Sequence, residues 1–564
     1  MQDMERVWLV SAGGGGIINE AGELREVLLA QRGVASSERE AFFEPRYNRD
    51  IHDPYLMFDM EVAVGRIRRA VEKKECIVIY GDYDADGISS MAVLIDVLKM
   101  LGANVSPYLP HRLNDGYGLR MSVLRKLAVD ADLLITVDCG VSDYEEVAWL
   151  MAQGIDVIVT DHHNLPAELP QALAILHPRH PRGRYPFGYL CGAGVAWKLA
   201  QALLEDREME KWLLDLVCLG TVADMVPMMG ENKAIVSFGL RVLRRSNRPG
   251  LRKLVQTARR GSDVLDADTV GYRVVPLMNA PGRLEHGQPV LDLLLTQEER
   301  RADELVAELV RYNRSRSTLS RQVEREVTEQ IGKLDGPILF ASGSQWAAGV
   351  VGLVAGRLCE RFARPAIVVG GGNGHAVGSA RAPAGLNVFK LIADQEEHLL
   401  NYGGHPSAAG FSLEYDKVDK FSRALAEKAG QIKNEINYRE EQADAIVEHN
   451  LLNWDTAEML EQFSPYGEGN KRPKLVGRQL ELADWRLVGK TKEHVKFVFR
   501  NGDEPLDGIG FGLADDELLK TVKSGESVDV LFYLDINEFK GRRGLQLQIR
   551  DIAPAGRVKI VVSH

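Results

Sequence analysis

Between Cys76 and Tyr80 an unbroken apolar run, short and rich in β-branched residues, reads as a buried strand. It passes straight into Gly81-Asp82-Tyr83-Asp84-Ala85-Asp86-Gly87. Side chains two apart on an extended backbone share a face, so three carboxylates are expected to gather where the strand ends. Such groups raise one another's pKa unless positive charge sits among them, and a divalent metal is the usual answer. The D-x-D-x-D-G spacing also opens an EF-hand calcium loop, which needs a Glu at the twelfth loop position and an entering helix. Here the twelfth position is Val93, and what enters is the strand-like Ile77-Val78-Ile79.

Three later segments repeat the pattern. Leu133–Val137 runs into Asp138-Cys139-Gly140, Val157–Thr160 into Asp161-His162-His163, and Leu219–Ala223 into Asp224. Alone, each has a plain reading: Asp138 as a helix cap, His162 and His163 as polar loop residues, Asp224 as an ordinary turn. Together they predict four acidic strand ends in one α/β pattern, because the carboxyl ends of parallel strands converge on one crevice. Carboxylates with imidazoles suit Mn²⁺ or Mg²⁺, and the want of thiolates argues against Zn²⁺.

Periodicity organises the rest. Met1 to about Asn48 is polar and turn-rich, with a glycine run at 13–16, and is expected to form a loosely ordered N-terminal arm over 1–48. Apolar runs then alternate with helical stretches such as 89–101 and 144–153, the βαβ signature of a parallel sheet, and a mainly helical part closes a first lobe over 49–298. Residues 299–334 hold no Pro and only Gly332, and read as a connecting helix about 45–50 Å long. A second α/β lobe follows over 335–445, with Pro365–Val369 as a strand entering a glycine-rich turn. Within 446–564, alternation as in Val495–Phe499, Val528–Tyr533 and Leu545–Ile549 predicts short strands of an all-β OB-fold barrel. Phe497, Phe499 and Phe539 are candidates to stack on bases, although an aromatic ring in such a barrel more often fills its core.

A chain of 564 residues with 45% hydrophobic content can bury several cores. Its five cysteines, Cys76, Cys139, Cys191, Cys218 and Cys359, form no C-x-x-C pair, which fits reduced thiols in a cytoplasm. No apolar run approaches a membrane span and Met1–Ile18 does not resemble a signal peptide, so a cytoplasmic protein without membrane association is expected. The net charge of −11 runs against the basic balance usual in nucleic-acid binders, but local charge is the better guide. Arg241, Arg244, Arg245, Arg248, Arg252, Lys253, Arg259 and Arg260 crowd one stretch, expected to be a solvated helical surface, and Lys540, Arg542 and Arg543 occupy a strand-to-strand loop.

The motifs resemble, in order, those of the DHH phosphoesterase superfamily: Asp82-Tyr83-Asp84-Ala85-Asp86-Gly87, then Asp138, then Asp161-His162-His163, then Asp224. Further segments narrow the resemblance to the RecJ family of single-strand-specific 5′-to-3′ exonucleases. Leu277–Leu284 is similar to its asparagine and arginine segment, Gly378-Ser379-Ala380-Arg381 to its phosphate-binding loop, and Gly403-Gly404-His405 with 407–410 to the motif of its second domain. Tyr466–Asn470 resembles the start of its oligonucleotide-binding fold. Two departures stand out: Ala347 follows Trp346 where a histidine is expected, and Pro281 replaces a more usual alanine in what is expected to be a loop.

The resemblance implies two α/β lobes joined by a long helix plus the C-terminal barrel, and hydrolysis of single-stranded DNA from a 5′ end with release of 5′-mononucleotides in DNA repair and recombination. It implies two divalent ions, Mn²⁺ or Mg²⁺, among Asp82, Asp84, Asp86, Asp138, His162 and Asp224, with Asp138 bridging. Such ions lower the pKa of a water between them and neutralise phosphate oxygens. Asp138, His162 and His163 are the catalytic candidates, His163 donating to a phosphoryl oxygen. Asn279, Arg283, Ser379 and Arg381 are the phosphate anchors, and His405 is expected to touch the scissile region. Arg112 joins them, with an ion-pair role as its plain alternative. A RecQ-type helicase and a single-strand-binding protein are the implied partners. A nano-RNase or cyclic-dinucleotide phosphodiesterase of the same superfamily would have no need of the barrel. A non-catalytic strand-binding scaffold would have no need of the complete donor set.

Overall fold

The computed structural model describes residues 5–563 apart from 113, 260–263, 333–335, 372–373, 384, 430–437, 503, 515, 517 and 540–541. Its contacts fall into two compact units, one made of Met1–Tyr108, Gly118–Val275 and Arg439–His564, the other of Leu109–Tyr117 and Pro276–Tyr438.

In the first unit a five-stranded parallel sheet runs in the order Asn104–Tyr108, Cys76–Tyr80, Leu133–Val137, Asp156–Thr160, Ala174–Leu176. Its inner strands are almost wholly buried and mainly apolar, as in a parallel sheet covered on both faces, and Thr136 and Thr160 within them are fully buried. Tyr80 pairs with Thr136 and Val137 with Thr160, so the carboxyl ends of three neighbouring strands finish at one level. The residues that follow those ends are the acidic motifs.

The chain's carboxyl-terminal part closes a five-stranded barrel, Leu475–Val488, His494–Asn501, Glu504–Gly510, Arg542–Pro554 and Ser527–Phe539, with the first strand also paired to the second. Phe497 and Phe499 lie 0% and 1% exposed inside it, stacked 6.1 Å apart, so both are core and neither faces a strand. The side chains of Phe539 and Arg542, and all of Lys540, lie outside the described residues.

The N-terminal segment is not a loose arm. Glu5–Val10 is a strand paired in parallel with Lys559–Val562, and Trp8 is fully buried with its indole N–H donating to Asp551 at 3.0 Å. Arg6 reaches Asp551 and Asp516 at 2.5 and 2.7 Å. Helix Ala21–Gln31 sends Leu24 and Leu28, one turn apart, into the hydrophobic core that also holds Phe497 and Phe532. The pairing joins opposite ends of the chain, so no local pattern announces it.

The second unit carries a mixed sheet in the order Asn401–His405, Ala408–Glu414, His375–Arg381, Ala366–Gly370, Leu339–Gly343. Helix Ala348–Phe362 is the crossover between its two parallel strands. Helix Glu299–Ile331, about 50 Å long, buries Val323 and Val327 in the core shared with Val350 and Val354, and Gly332 at φ +58° ends it. Leu334, expected to close this helix, lies outside the described residues. Among the described residues no helix is long and apolar enough to cross a membrane.

Candidate metal centre

The first acidic motif is gathered by a strand-to-helix turn rather than by extended alternation. Asp84 is the N-cap of helix Ala85–Met100, accepting from the backbone N–H groups of Asp86 and Gly87 at 2.9 and 3.1 Å, while Asp86 sits in the helix's first turn. Asp86 is held from elsewhere: the N–H groups of Gly192 and Ala193, at the start of helix Gly192–Leu203, donate to its two oxygens at 2.7 and 2.9 Å. Gly220 must be glycine for this approach, since a Cβ there would stand 2.3 Å from Asp86 Oδ1.

Asp138 follows its strand with φ +62°, a left-handed conformation unusual for a non-glycine residue, which aims the side chain across the sheet edge. A Cβ on Gly192 would meet Asp138 Oδ1 at 2.6 Å, so this helix start packs on both carboxylates. His162 Nε2 lies 3.1 Å from Asp138 Oδ1, 3.6 Å from Asp224 Oδ2 and 4.0 Å from Asp86 Oδ2. Asp224 is not a strand end. It caps the carboxyl terminus of helix Leu214–Ala223, and apolar residues before it reflect that helix's burial.

Three groups of donors result, each with ligand atoms within 4.8 Å of one another: Asp82, Asp84 and Asp138; Asp86, His162 and Asp224; Asp138, His162 and His163. Their electrostatics follow from crowding. Burial first, then the charges of Asp86, Asp84, Asp82 and Asp224, push the Asp138 carboxyl well above the usual range. Burial and Asp84 raise Asp86 to about 6, and burial with Asp86 and Asp84 raises Asp224 to about 8. Burial, then the neighbouring His163, lowers His162 to about 3, so its ring is neutral. Burial also pulls His163 down, but its bond to Asp161 outweighs that and lifts it to about 9.

Asp161, absent from the expected ligands, organises the histidine pair. It is fully buried and accepts from the N–H groups of Val141, His162 and His163 and from His163 Nδ1, the last at 2.8 Å. Burial favours its neutral form, yet the His163 bond wins and holds it down at about 2. Its signal in the sequence was its place ahead of two histidines at a strand end.

In the second unit the expected anchors gather near the N-terminus of helix Ala348–Phe362. Arg381 donates to Ser379 Oγ and to the Ala380 carbonyl, both at 2.9 Å, and burial lowers its pKa. A Cβ on Gly352 would meet Ser379 Oγ at 3.1 Å and Arg381 Nη2 at 3.5 Å, and one on Gly349 would strike the Arg283 carbonyl at 1.8 Å. Ser379 and Arg381 lie on strand His375–Arg381, not in a loop, and His405 ends strand Asn401–His405. Arg381 and His405 both oppose Ala408, one on each side of it. Asn279 and Arg283 lie in helix Val275–Leu284, which contains Pro281, so the segment expected as a loop is helical. Arg112 is half-buried beside His111, whose ring meets His286 at 5.7 Å. Ala347 takes the N-cap position of helix Ala348–Phe362 with no side-chain bond.

Family models match at residues 76–221 (DHH family, N-terminal domain), 335–431 (DHHA1 domain) and 443–551 (RecJ OB domain). The single-stranded-DNA-specific exonuclease RecJ of Bacillus subtilis is 37% identical, over 93% of this chain and 67% of its own length. That of Dickeya dadantii is 35% identical over 93% and 95%. The chain belongs to the RecJ family. The Mn²⁺ complex of RecJ from Thermus thermophilus superposes with a TM-score of 0.82 at 27% identity, covering 99% of this chain and 81% of that one. A second RecJ structure bound to manganese matches with a TM-score of 0.60 at 33% identity over 67% and 97%.

The donors of this RecJ chain fit a divalent cation on their own geometry. They are buried and half-buried carboxylate oxygens with one neutral imidazole, and His162 Nε2 is buried with no hydrogen-bond partner among the described residues. Carboxyls forced toward protonation at neutral pH are what a crowded site shows until positive charge enters it.

Proposed function

We propose that the protein is a metal-dependent exonuclease that degrades single-stranded DNA from a 5′ end and releases 5′-mononucleotides, with a role in DNA repair and recombination. The convergence of Asp82, Asp84, Asp86, Asp138, His162 and Asp224 in a RecJ chain carries this reading. Asp138 shares one donor group with Asp82 and Asp84 and another with His162 and His163, while His162 also groups with Asp86 and Asp224, so these residues would hold two ions of Mn²⁺ or Mg²⁺ with Asp138 as their shared ligand. Such ions lower the pKa of water and neutralise the oxygens of the phosphate under attack.

The chain's own groups do the remaining work. The Gly192 and Ala193 N–H groups fix Asp86, and Asp161 fixes the His163 ring and the backbone N–H groups of both histidines. His163, held as an imidazolium and 43% exposed at its side chain, is the donor to a phosphoryl oxygen. In the second unit Arg381, Ser379 and Arg283 hold a phosphate through guanidinium forks and a hydroxyl, and a bound 5′-terminal phosphate would set polarity by requiring an end. Asn279, Arg112 and His405 are assigned to the same strand. The barrel is the fold that binds single strands in relatives of many kinds. A helicase and a single-strand-binding protein, which expose and coat such strands, are the partners this role calls for.

Incubating 5′-labelled and 3′-labelled single strands with Mn²⁺ tests the proposal. Label should leave the 5′-marked strand first as mononucleotide, and Asp138→Ala should abolish release while strand binding persists. Digestion beginning at the 3′ end, or none at all in the intact protein, refutes it.

A further inference from the structure

Thr136 and Thr160 are polar residues at the carboxyl ends of strands Leu133–Val137 and Asp156–Thr160, and both are fully buried. In a sheet covered on both faces valine would fill either place without bringing a hydroxyl into the core, so each hydroxyl needs a partner. Thr160 Oγ1 donates across the sheet to the Thr136 carbonyl at 2.8 Å, and the Asp138 N–H donates to the Thr160 carbonyl at 3.0 Å. Thr136 Oγ1 donates forward to the Cys139 carbonyl at 2.7 Å.

The last of these bonds spans Asp138. After Val137 the chain turns through Asp138 at φ +62° and reaches Gly140 at φ +109°, and the Thr136–Cys139 bond ties the two sides of that turn together. A Cβ on Gly140 would stand 2.7 Å from Thr136 Oγ1, so glycine there both supplies the positive φ and leaves the hydroxyl its room. Ser89, Ser90 and Thr221 are also buried, but each donates to the carbonyl four residues back in its own helix, a bond any buried helical hydroxyl can make. Thr136 instead reaches across a turn whose backbone conformation few non-glycine residues adopt.

Such a conformation persists only where its surroundings over-determine it. At Asp138 it decides where the carboxylate goes, with Oδ1 3.1 Å from His162 Nε2. Thr136 and Cys139 are 0% and 1% exposed, so solvent is not at hand to replace the hydroxyl if it is removed.

We infer that Thr136 is a positioning residue of the metal centre: its hydroxyl holds the Asp138 turn in the left-handed conformation that places one carboxylate in two donor groups, with Asp82 and Asp84 and with His162 and His163. The inference rests on the proposed role of Asp138 as the shared ligand of two ions. The Thr160 bonds carry the hold into the neighbouring strand, whose end leads into Asp161-His162-His163, so the placing of Asp138 against the histidines depends on the same three bonds.

The test compares the intact protein with Thr136→Val, which removes the hydroxyl at nearly constant shape, and with the pair Thr136→Ser and Thr136→Ala, which repeats the deletion without the methyl group. Mn²⁺ binding is measured by calorimetry and the loaded proteins by electron paramagnetic resonance, where two ions sharing a carboxylate give an exchange-coupled spectrum. Thr136→Val should bind Mn²⁺ about tenfold more weakly, the lower end of the range for groups behind a metal ligand because this one acts through the backbone, and its coupled spectrum should give way to that of separate ions. Thr136→Ser should keep the native affinity and spectrum, and Thr136→Ala should match Thr136→Val, so the comparison stands if one deletion fails to fold. Native affinity and coupling in a folded Val or Ala variant overturn the inference, even where urea unfolding shows lost stability, since the hydroxyl would then serve the fold alone. So does a Ser variant as impaired as the Ala variant. An intact protein that shows the Thr136 dependence yet cleaves no single strand supports the positioning role and overturns the exonuclease reading alone.

Discussion

Lys198 and Glu231 form an ion pair of 2.7 Å with neither side chain exposed, and replacing Lys198 by Met probes how helix Gly192–Leu203 is held against the metal centre. At an effective dielectric of about 20, attraction at this distance is about 6 kcal/mol, which the desolvation of two buried ions largely offsets. Removing one partner uncovers that desolvation. Glu231 would keep the His52 N–H at 3.0 Å and the Tyr185 hydroxyl at 2.6 Å, so the loss should fall near the lower end of the usual range for a broken buried pair, about 3 kcal/mol. Glu231→Gln should cost less, because burial already lowers the Lys198 pKa and the amine can shed its proton, keeping the His52 carbonyl at 2.7 Å. The double variant leaves no buried charge and should lie within about 1–2 kcal/mol of the native protein. Urea unfolding followed by the fluorescence of Trp197, whose ring lies 4.8 Å from Lys198 Nζ, reads all four proteins. A Lys198→Met protein less than about 1 kcal/mol below native, or a double variant as damaged as the two singles summed, would refute the reasoning.

Asp161→Ala should weaken Mn²⁺ binding about 10–100-fold by calorimetry, because the His163 ring and the backbone N–H groups of His162 and His163 lose their common acceptor; unchanged affinity removes that holding role. Phe497→Ala should cost about 3–5 kcal/mol in chemical unfolding of the barrel, and a variant of native stability that no longer binds a strand would instead make this ring a stacking platform. Burial lowers the Lys233 amine to about 7, so between pH 7 and the ordinary lysine value the unfolded chain carries a proton that the folded one lacks. Stability should therefore rise with pH across that window, and Lys233→Met should flatten the rise; parallel pH–stability curves for the two proteins contradict it.

Much of the architecture could be read along the chain because it is written in local periods. The runs 77–79, 133–137 and 157–160 are mainly apolar and fully buried since both sheet faces are covered, and the barrel strands alternate since only one face is. The approximate span of the long helix was legible from its composition, and Asp82, Asp138 and His162 were legible as residues that end buried strands. Asp224 lies beside Asp86 and His162, but as a helix cap rather than at the strand end that its apolar neighbours suggest. The helical setting of Asn279 and Arg283 was hidden by Pro281 and its glycine, which locally favour a loop over the helix that packing imposes.

By itself, then, the order of residues determined the buried strands of the first sheet, the long helix and the alternating strands of the barrel, and it placed Asp82, Asp138 and His162 at strand ends, because burial and hydrogen-bond period act between near neighbours. Only tertiary structure decided that Gly192 and Ala193 hold Asp86 from more than a hundred residues away, that Asp161 serves two histidines rather than a metal, and that Arg6 meets Asp551 across nearly the whole chain. Those contacts arise from packing between distant segments, and nothing in the local pattern around either partner encodes which distant residue it will meet.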